Sequence, residues 1–303
     1  MKRRTFIKDV SAAGSLALSG LSLASCKEDL PKKKLTILHT NDVHSHIDPF
    51  PSEHSEFPGM GGLARRAALV ETIRNENPNT LLLDAGDIFQ GTPYFNFYGG
   101  ELEFKLMSKL RYDAATIGNH DFDNGIDGLL AQLPNATFEL LSANYDFRNT
   151  VLDGHVKPYR TYFMDGIKVG IYGLGIQLEG LVTHSLYKET KSLDPYEIAW
   201  DCEQHLKNDE QCDVIICLSH LGYRYPNENR PNDLKLAAKT AHTNLIIGGH
   251  THTFLERPTI AKNRIGNDVL VNQVGCFGLQ LGRIDFYFDA LKNSTSKGVS
   301  ISV

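Results

Sequence analysis

The chain has 303 residues, of which 41% are hydrophobic and 22% are charged, and this composition is ordinary for a globular protein with a sizeable core. Its formal net charge is −5 at pH 7, so no basic excess points to nucleic acid as a partner. A chain of this length can form one large α/β domain or two smaller ones.

The first 25 residues have the features of an export signal. A basic start, MKRRTFIKDV, precedes a weakly apolar run that is too short to span a membrane. Arg3 and Arg4 form a twin-arginine pair, and the run LASC resembles a lipobox in which Cys26 becomes the lipidated N-terminus. We predict an exported protein, periplasmic or at the cell surface, with a lipid anchor at Cys26 and a charged tether over 26–34. A plain secretory signal with a chance cysteine is the alternative.

Beyond the tether, apolar β-rich runs alternate with amphipathic stretches, and this order indicates sheets covered by helices. The predicted strands span 35–40, 80–86, 114–118, 138–144, 160–165, 168–175, 213–220, 244–250, 268–274 and 281–289. The predicted helices span 61–77, 100–110, 195–210 and 233–242. We predict one domain over 35–290, because no internal repeat or long linker interrupts it. The polar tail 291–303 is either a short linker or a final strand.

Five of the predicted strands end in residue types that ligate metals. The residues that follow these strands are Asp42, His44, Asp87, Asn119, His120, His220, His250 and His252. In α/β sheets, binding sites gather at the carboxyl ends of strands, so these side chains converge if the strands are neighbours. Each motif taken alone could equally be a helix cap, a turn or a surface loop. The ordered recurrence after five strands indicates a single site.

The spacing of the pairs suggests how they act. In extended backbone, residues i and i+2 face the same way, so Asp42 and His44 can bind one ion together, and so can His250 and His252. These ligands are too many for one tetrahedral site, which predicts two divalent ions such as Zn, Mn, Fe or Co. Two-metal sites activate water for in-line displacement at phosphorus. The residues therefore predict a metal-dependent phosphoric ester hydrolase.

Taken in order, the motifs DVH, GDIFQG, GNHD, SHLG and GGHTH resemble those of the calcineurin-like metallophosphoesterases. The runs ILHTNDVHSH and GNHDFDNG are similar to the catalytic domain of the bacterial 5′-nucleotidase/UDP-sugar hydrolase family. The resemblance covers roughly residues 35–290. It implies an α/β fold of four layers, in which two mixed β-sheets are sandwiched between helices.

The resemblance also implies a role for each site residue. A first metal ion would be bound by Asp42, His44 and His252, a second by Asn119, His220 and His250, and Asp87 would bridge them. The position of His252 is Gln in some members of the family. His120 would be the catalytic histidine beside the substrate phosphate, and Asp123 would orient its ring and favour its protonated form. Asp121 is expected to hold these residues in place without binding a metal ion itself.

The implied substrate is a small phosphate ester, most often a nucleotide in this family. Family 5′-nucleotidases carry a C-terminal domain that selects the nucleotide, and we predict that this chain, ending at Val303, lacks it. The domain would then act alone with broad activity, pair with a separately encoded specificity domain, or take a different ester. Related proteins include cyclic-nucleotide phosphodiesterases and thiosulfohydrolases, although Asp123 favours the nucleotidase branch. A non-catalytic metal-binding lipoprotein is the remaining alternative.

Four cysteines lie within the predicted domain. They are Cys202, Cys212, Cys217 and Cys276. An oxidising compartment would permit a disulfide among them, and sequence cannot choose the pairing. Free buried thiols are the other interpretation.

Overall fold

The structure is a computed structural model that describes residues 33–227 and 229–303. The predicted signal, the lipidation site at Cys26 and most of the predicted tether lie outside these residues. Within the described ranges, no helix has the combination of length and apolar character that a membrane span requires.

The strands that the sequence predicts are all present, with ends that differ by a few residues. In chain order the strands are β1 (Lys33–Thr40), β2 (Thr80–Asp84), β3 (Ala114–Thr116), β4 (Glu139–Leu141), β5 (Tyr145–Asp146), β6 (Tyr159–Met164), β7 (Ile167–Leu174), β8 (Lys191–Ser192), β9 (Val214–Ser219), β10 (Leu245–Gly248), β11 (Thr259–Lys262), β12 (Asp268–Asn272), β13 (Gln280–Phe288) and β14 (Ser294–Ser302). The α-helices are α1 (Leu63–Glu76), α2 (Pro93–Tyr98), α3 (Glu101–Lys109), α4 (Gly125–Gln132), α5 (His184–Tyr187), α6 (Pro195–Asn208) and α7 (Asp233–Lys239).

Two six-stranded sheets form the centre of the domain. The first has the order β14-β13-β1-β2-β3-β4 and the second has the order β11-β12-β10-β9-β7-β6. In the first sheet β1 to β4 are parallel, and β13 and β14 run antiparallel to their neighbours. In the second sheet β7, β9, β10 and β12 are parallel, with antiparallel strands at both edges. Both sheets are therefore mixed, as predicted.

Alternation along the strands explains the layers. One face of each sheet carries residues such as Ile37, Leu83 and Ile216, which pack together in a core between the sheets. The opposite faces form two further cores: Leu82 packs with residues of α1, and Ile246 packs with residues of α6. Because successive strand residues point to opposite faces, one sequence pattern supplies three hydrophobic cores, and the four-layer arrangement is confirmed.

The polar tail forms the last strand. β14 pairs antiparallel with β13 from Gln280↔Ser302 to Phe288↔Ser294. The sheet thus extends past residue 290, where the sequence placed the end of the domain. Most of β14 is exposed, so its polar residues face water at a sheet edge, where a weakly apolar sequence gives little strand signal.

The four cysteines of the domain are free and buried. Cys202, Cys212 and Cys217 belong to the core between the second sheet and its helices. Burial raises the pKa of Cys202 and of Cys276 to about 12. These thiols pack as small hydrophobic side chains, which is the second of the two interpretations that the sequence left open.

Candidate metal centre

The candidate ligands lie in loops that follow strands of both sheets at one edge of the sandwich. The loop after β1 stays paired with the loop after β2 beyond the strands, because Asp42 N donates to Gly86 O at 2.9 Å and His44 N donates to Asp87 O at 3.0 Å. The loop after β10 reaches them from the second sheet, where His250 N donates to Asp42 Oδ1 at 2.9 Å. The convergence that the sequence predicted is therefore present in the structure.

The local backbone differs from the prediction. Asp42, His44, Asp87, His250 and His252 all have φ between 49° and 69°, a left-handed conformation that non-glycine residues seldom adopt. Extended backbone at these residues was a wrong assumption. The i and i+2 rule therefore does not govern the site, and His250 and His252 lie in different clusters of side chains. Such strain at adjoining loops is typical of functional sites.

The first cluster consists of Asp42, His44 and His252, with ligand atoms that all lie within 4.8 Å of one another. His44 Nε2 is 3.0 Å from His252 Nε2, and His252 Nε2 is 3.4 Å from Asp42 Oδ1. His44 Nδ1 lies 3.3 Å from Phe89 O. Because a carbonyl oxygen can only accept, Nδ1 carries the proton in the neutral ring and the Nε2 lone pair faces the cluster.

The second cluster consists of Asp87, His220 and His250. His220 Nδ1 lies 2.7 Å from Ala85 O, and His220 Nε2 lies 3.0 Å from Asp87 Oδ2. In the neutral ring Nε2 thus presents a lone pair to a carboxylate oxygen, and this buried atom has no hydrogen-bond partner in the described part of the chain. Asn119 Oδ1 lies 2.8 Å from His250 Nδ1. His220 Nε2 and Asp87 Oδ2 are both acceptors when the ring is neutral, so they need a proton or a cation between them, whereas His250 Nδ1 can itself donate to Asn119 Oδ1.

The two clusters adjoin. His44 Nε2 is 3.8 Å from Asp87 Oδ2, and His220 Nε2 is 3.9 Å from Asp42 Oδ1, so each carboxylate lies close to both groups of imidazoles. The donor set is made of carboxylate, imidazole and one amide oxygen, which are ligands that Zn, Mn, Fe and Co accept. The residues fit a pair of divalent cations.

Charges within the site favour cations. Burial lowers the pKa of His220, but the Asp87 and Asp42 carboxylates raise it more, to about 10. Burial raises the pKa of Asp87, but the neighbouring imidazoles, above all His220, hold it well below its usual range. Burial lowers the pKa of His250 to about 4, so this ring is neutral and can ligate. Protons and metal ions therefore compete for the same buried positions.

Asp121 holds two of the loops together. Its carboxylate accepts four backbone N–H groups: Oδ2 from Asp87 at 3.0 Å and Gly118 at 2.8 Å, and Oδ1 from Ile88 at 2.9 Å and Phe89 at 3.1 Å. This is the supporting role that the sequence predicted for it. Gly118 is needed beside it, since a Cβ there would lie 2.2 Å from Asp87 Oδ1.

His120 and Asp123 form a pair at the rim of the clusters. His120 Nδ1 lies 2.8 Å from Asp123 Oδ2, and the side chains are 39% and 28% exposed, so both are accessible from solvent. His120 N donates to Asp87 Oδ1 at 2.8 Å, and its ring centroid is 5.3 Å from that of His44. The hydrogen bond that His120 Nδ1 donates to the Asp123 carboxylate is the main cause of the raised pKa of His120.

The sequence assigned no role to three residues near the clusters. Asn41 Nδ2 donates to Asp42 Oδ2 at 2.6 Å and to Gly275 O at 2.7 Å, which orients the carboxylate. Arg230 Nη2 lies 3.5 Å from His250 Nε2, and its guanidinium lies over the ring of Tyr225. Asparagine and arginine in loops have no distinctive spacing, so only the folded chain reveals these contacts.

A sandwich of two mixed sheets with paired acid–imidazole clusters at its edge defines the metallophosphoesterase class. The family model for calcineurin-like phosphoesterases matches residues 35–254, and the chain belongs to this family. The resemblance carried by the motifs is thus confirmed.

Several relatives are 5′-nucleotidases. The chain is 35% identical over 285 residues to the snake venom 5′-nucleotidase of Crotalus adamanteus, covering 84% of this chain and 45% of that protein. It is 34% identical over 289 residues to the human 5′-nucleotidase, covering 87% and 48%. The crystal structure of a 5′-nucleotidase precursor from Thermus thermophilus superposes with a TM-score of 0.80 at 37% identity, covering 89% and 55%. The chain spans about half the length of these relatives.

Proposed function

We propose that this domain hydrolyses phosphate esters with the help of two divalent cations, and that its substrates are nucleotides. The observation that carries the proposal is the meeting of two acid–imidazole clusters beside the His120–Asp123 pair. The 5′-nucleotidase relatives support the substrate class.

The proposed ligands follow the two clusters. Asp42, His44 and His252 would hold one cation, and Asp87, Asn119, His220 and His250 the other. The lone pairs of His44 Nε2 and His220 Nε2, which the carbonyls of Phe89 and Ala85 turn inward, support this assignment. When bound, the cations would supply Lewis-acid activation of water and offset the charge of the phosphate.

The remaining chemistry belongs to side chains. Asn119 contributes an amide oxygen without negative charge, so two divalent cations and two carboxylates leave a formal charge of about +2 for a phosphate dianion. His120, protonated with the help of Asp123, would donate a proton or a hydrogen bond to a phosphoryl or leaving-group oxygen. The bond from His120 N to Asp87 Oδ1 fixes the ring relative to the cluster.

We also propose that the protein is exported. The leader predicted over residues 1–25 would direct the protein out of the cytoplasm, and Cys26 would carry a lipid. Replacing Cys26 by Ser should release the mature protein from membranes, and unchanged membrane association of that variant would contradict the anchor. The separately encoded specificity domain stays a prediction.

The decisive experiment combines metal analysis with turnover. Purified protein supplied with Mn²⁺ should bind two ions per chain and hydrolyse AMP or UDP-glucose, with a cyclic nucleotide and an aryl phosphate as comparison substrates. Asp87→Asn should abolish turnover, and His120→Ala should keep both ions but lower kcat by roughly 10²–10⁴-fold. Asp201→Asn, an exposed acid on α6, is a matched control. Absence of hydrolysis of every ester would overturn the proposal.

A further inference from the structure

Arg230 connects the metal centre to a neighbouring cleft. Its Nη2 lies 3.5 Å from His250 Nε2, and its guanidinium carbon lies 4.2 Å from the centroid of the Tyr225 ring. Tyr225 is itself fixed, because its hydroxyl donates to Leu221 O at 2.7 Å. Stacking on a fixed ring holds the guanidinium plane in one orientation, which favours directional hydrogen bonds from Arg230.

The position of this cation has an electrostatic consequence. Two divalent cations in the clusters would repel the guanidinium, and within residues 33–227 and 229–303 no carboxylate forms an ion pair with it. A permanent positive charge next to a cationic centre is stabilised when an anion binds between them. Phosphate oxygens suit this position, since guanidinium binds them through paired N–H groups.

The cleft on the other side of Arg230 has room for the rest of a substrate. It has a volume of about 620 Å³ and is lined by segments that follow β4, β7, β8 and β9, of which the segment after β9 also carries His220 of the metal centre. This volume lies within the range of small-molecule sites. Arg230 is the one Lys or Arg among the described residues of its wall.

The chemistry of the wall indicates what would fit. Gln177, Glu179 and Asn229 present exposed polar side chains, and Leu181 and Leu193 are 44% and 39% exposed. Carboxylate and amide groups bind hydroxyls, and exposed leucines contact an apolar ring face. The Glu179 carboxylate would repel a second phosphate. The wall therefore suits a neutral group that carries hydroxyls and has one apolar face.

We propose that Arg230 binds an oxygen of the substrate phosphate and that the adjoining cleft, through Glu179 and Leu181, binds a neutral, hydroxyl-bearing leaving group such as a nucleoside. This inference rests on the proposed function of the metal centre. It places recognition of the leaving group within the catalytic domain itself.

Phosphate binding tests the role of Arg230 independently of turnover. Titration calorimetry of Mn²⁺-loaded protein with inorganic phosphate should show about tenfold weaker binding for Arg230→Gln, the usual effect of losing a charged hydrogen bond. Arg264→Gln is the matched control, because Arg264 also lies over an aromatic ring, at 4.4 Å from the Trp200 centroid. Metal content and Tm should not change in either variant. Equal phosphate affinity in both variants, or loss of metal from Arg230→Gln, would overturn the role of Arg230.

Steady-state kinetics tests the cleft. Glu179→Ala should raise KM for AMP about fivefold and leave KM for p-nitrophenyl phosphate, which has no sugar hydroxyls, unchanged. Glu71→Ala on the exposed side of α1 is the control. An unchanged KM for AMP, or equal changes for both esters, would refute the cleft. If the wild-type protein hydrolyses neither ester, the proposed function fails, whereas the phosphate titration still decides the role of Arg230.

Discussion

Replacing Gly118 by Ala tests whether the close approach of this residue to Asp87 is needed to keep the metal ligands in position. A Cβ at this position would lie 2.2 Å from Asp87 Oδ1 and 2.4 Å from Asp87 N, and ordinary contact begins near 3.4 Å. Asp87 would therefore have to move by about 1.2 Å, and its backbone is fixed by Asp121. A displacement of about 1 Å at a ligand typically costs roughly 10²-fold in rate.

The effect of Gly118→Ala can be measured as a loss of stability and as a loss of metal affinity. Overpacking of a tight site costs about 1–3 kcal/mol, which lowers Tm by about 2–10 °C in a domain of this size. Calorimetric titration with Mn²⁺ should show weakened binding at the site formed around Asp87. Gly154→Ala is the control, because Gly154 has φ of 76° but a Cβ added there would meet no atom within 4 Å, so it tests backbone strain without crowding. If Gly118→Ala binds two ions with native affinity and has native Tm, crowding at Asp87 is not what this glycine prevents.

Three further predictions concern the pair at the rim, the cations and the thiols. Asp123→Asn removes the main cause of the raised pKa of His120, so kcat should fall, and the decline of kcat at high pH should begin at a lower pH. Asp209→Asn is the control, because it breaks a comparable 2.7 Å contact with the surface residue His205 and should leave the pH profile unchanged. Removing the cations with EDTA should lower Tm by about 5–10 °C relative to protein with cation at 100 times its Kd, because binding at one site then contributes about 2.7 kcal/mol; an unchanged Tm would argue against cations at the buried clusters. The four cysteines of the domain should resist alkylation in the native protein and react fully in denaturant, and a disulfide found by mass spectrometry would contradict their free state.

The metal centre is formed by loops from both sheets. Loops after β1, β2 and β3 come from the first sheet, and loops after β9 and β10 come from the second. The bond from His250 N to Asp42 Oδ1 crosses between them. Each cluster contains ligands from both sheets, so a cation bound in either cluster would link the sheets, and its removal is expected to affect stability as well as turnover.

Much of the architecture followed from local pattern. The predicted strands and the helix predicted over 61–77 rest on apolar spacing between sequence neighbours, and Val70 and Ile73, three residues apart in α1, are both buried. The strand-end positions of the candidate ligands followed in the same way, and they lie at one edge because the carboxyl ends of parallel strands meet there. The sequence pattern was weakest at the edge strands of the two sheets: β14 is polar and largely exposed, and β11 was not predicted.

The sequence by itself determined which residues stand at the ends of buried strands, because periodicity and residue type are local properties. The tertiary structure, and not spacing along the chain, decided their grouping, since left-handed backbone at His250 and His252 places these two histidines in different clusters, as the family resemblance implied. It also decided which distant loops support them, as in the contact between Arg230 and His250. Such contacts arise from the crossing of chain segments in space, and no spacing along the chain encodes them.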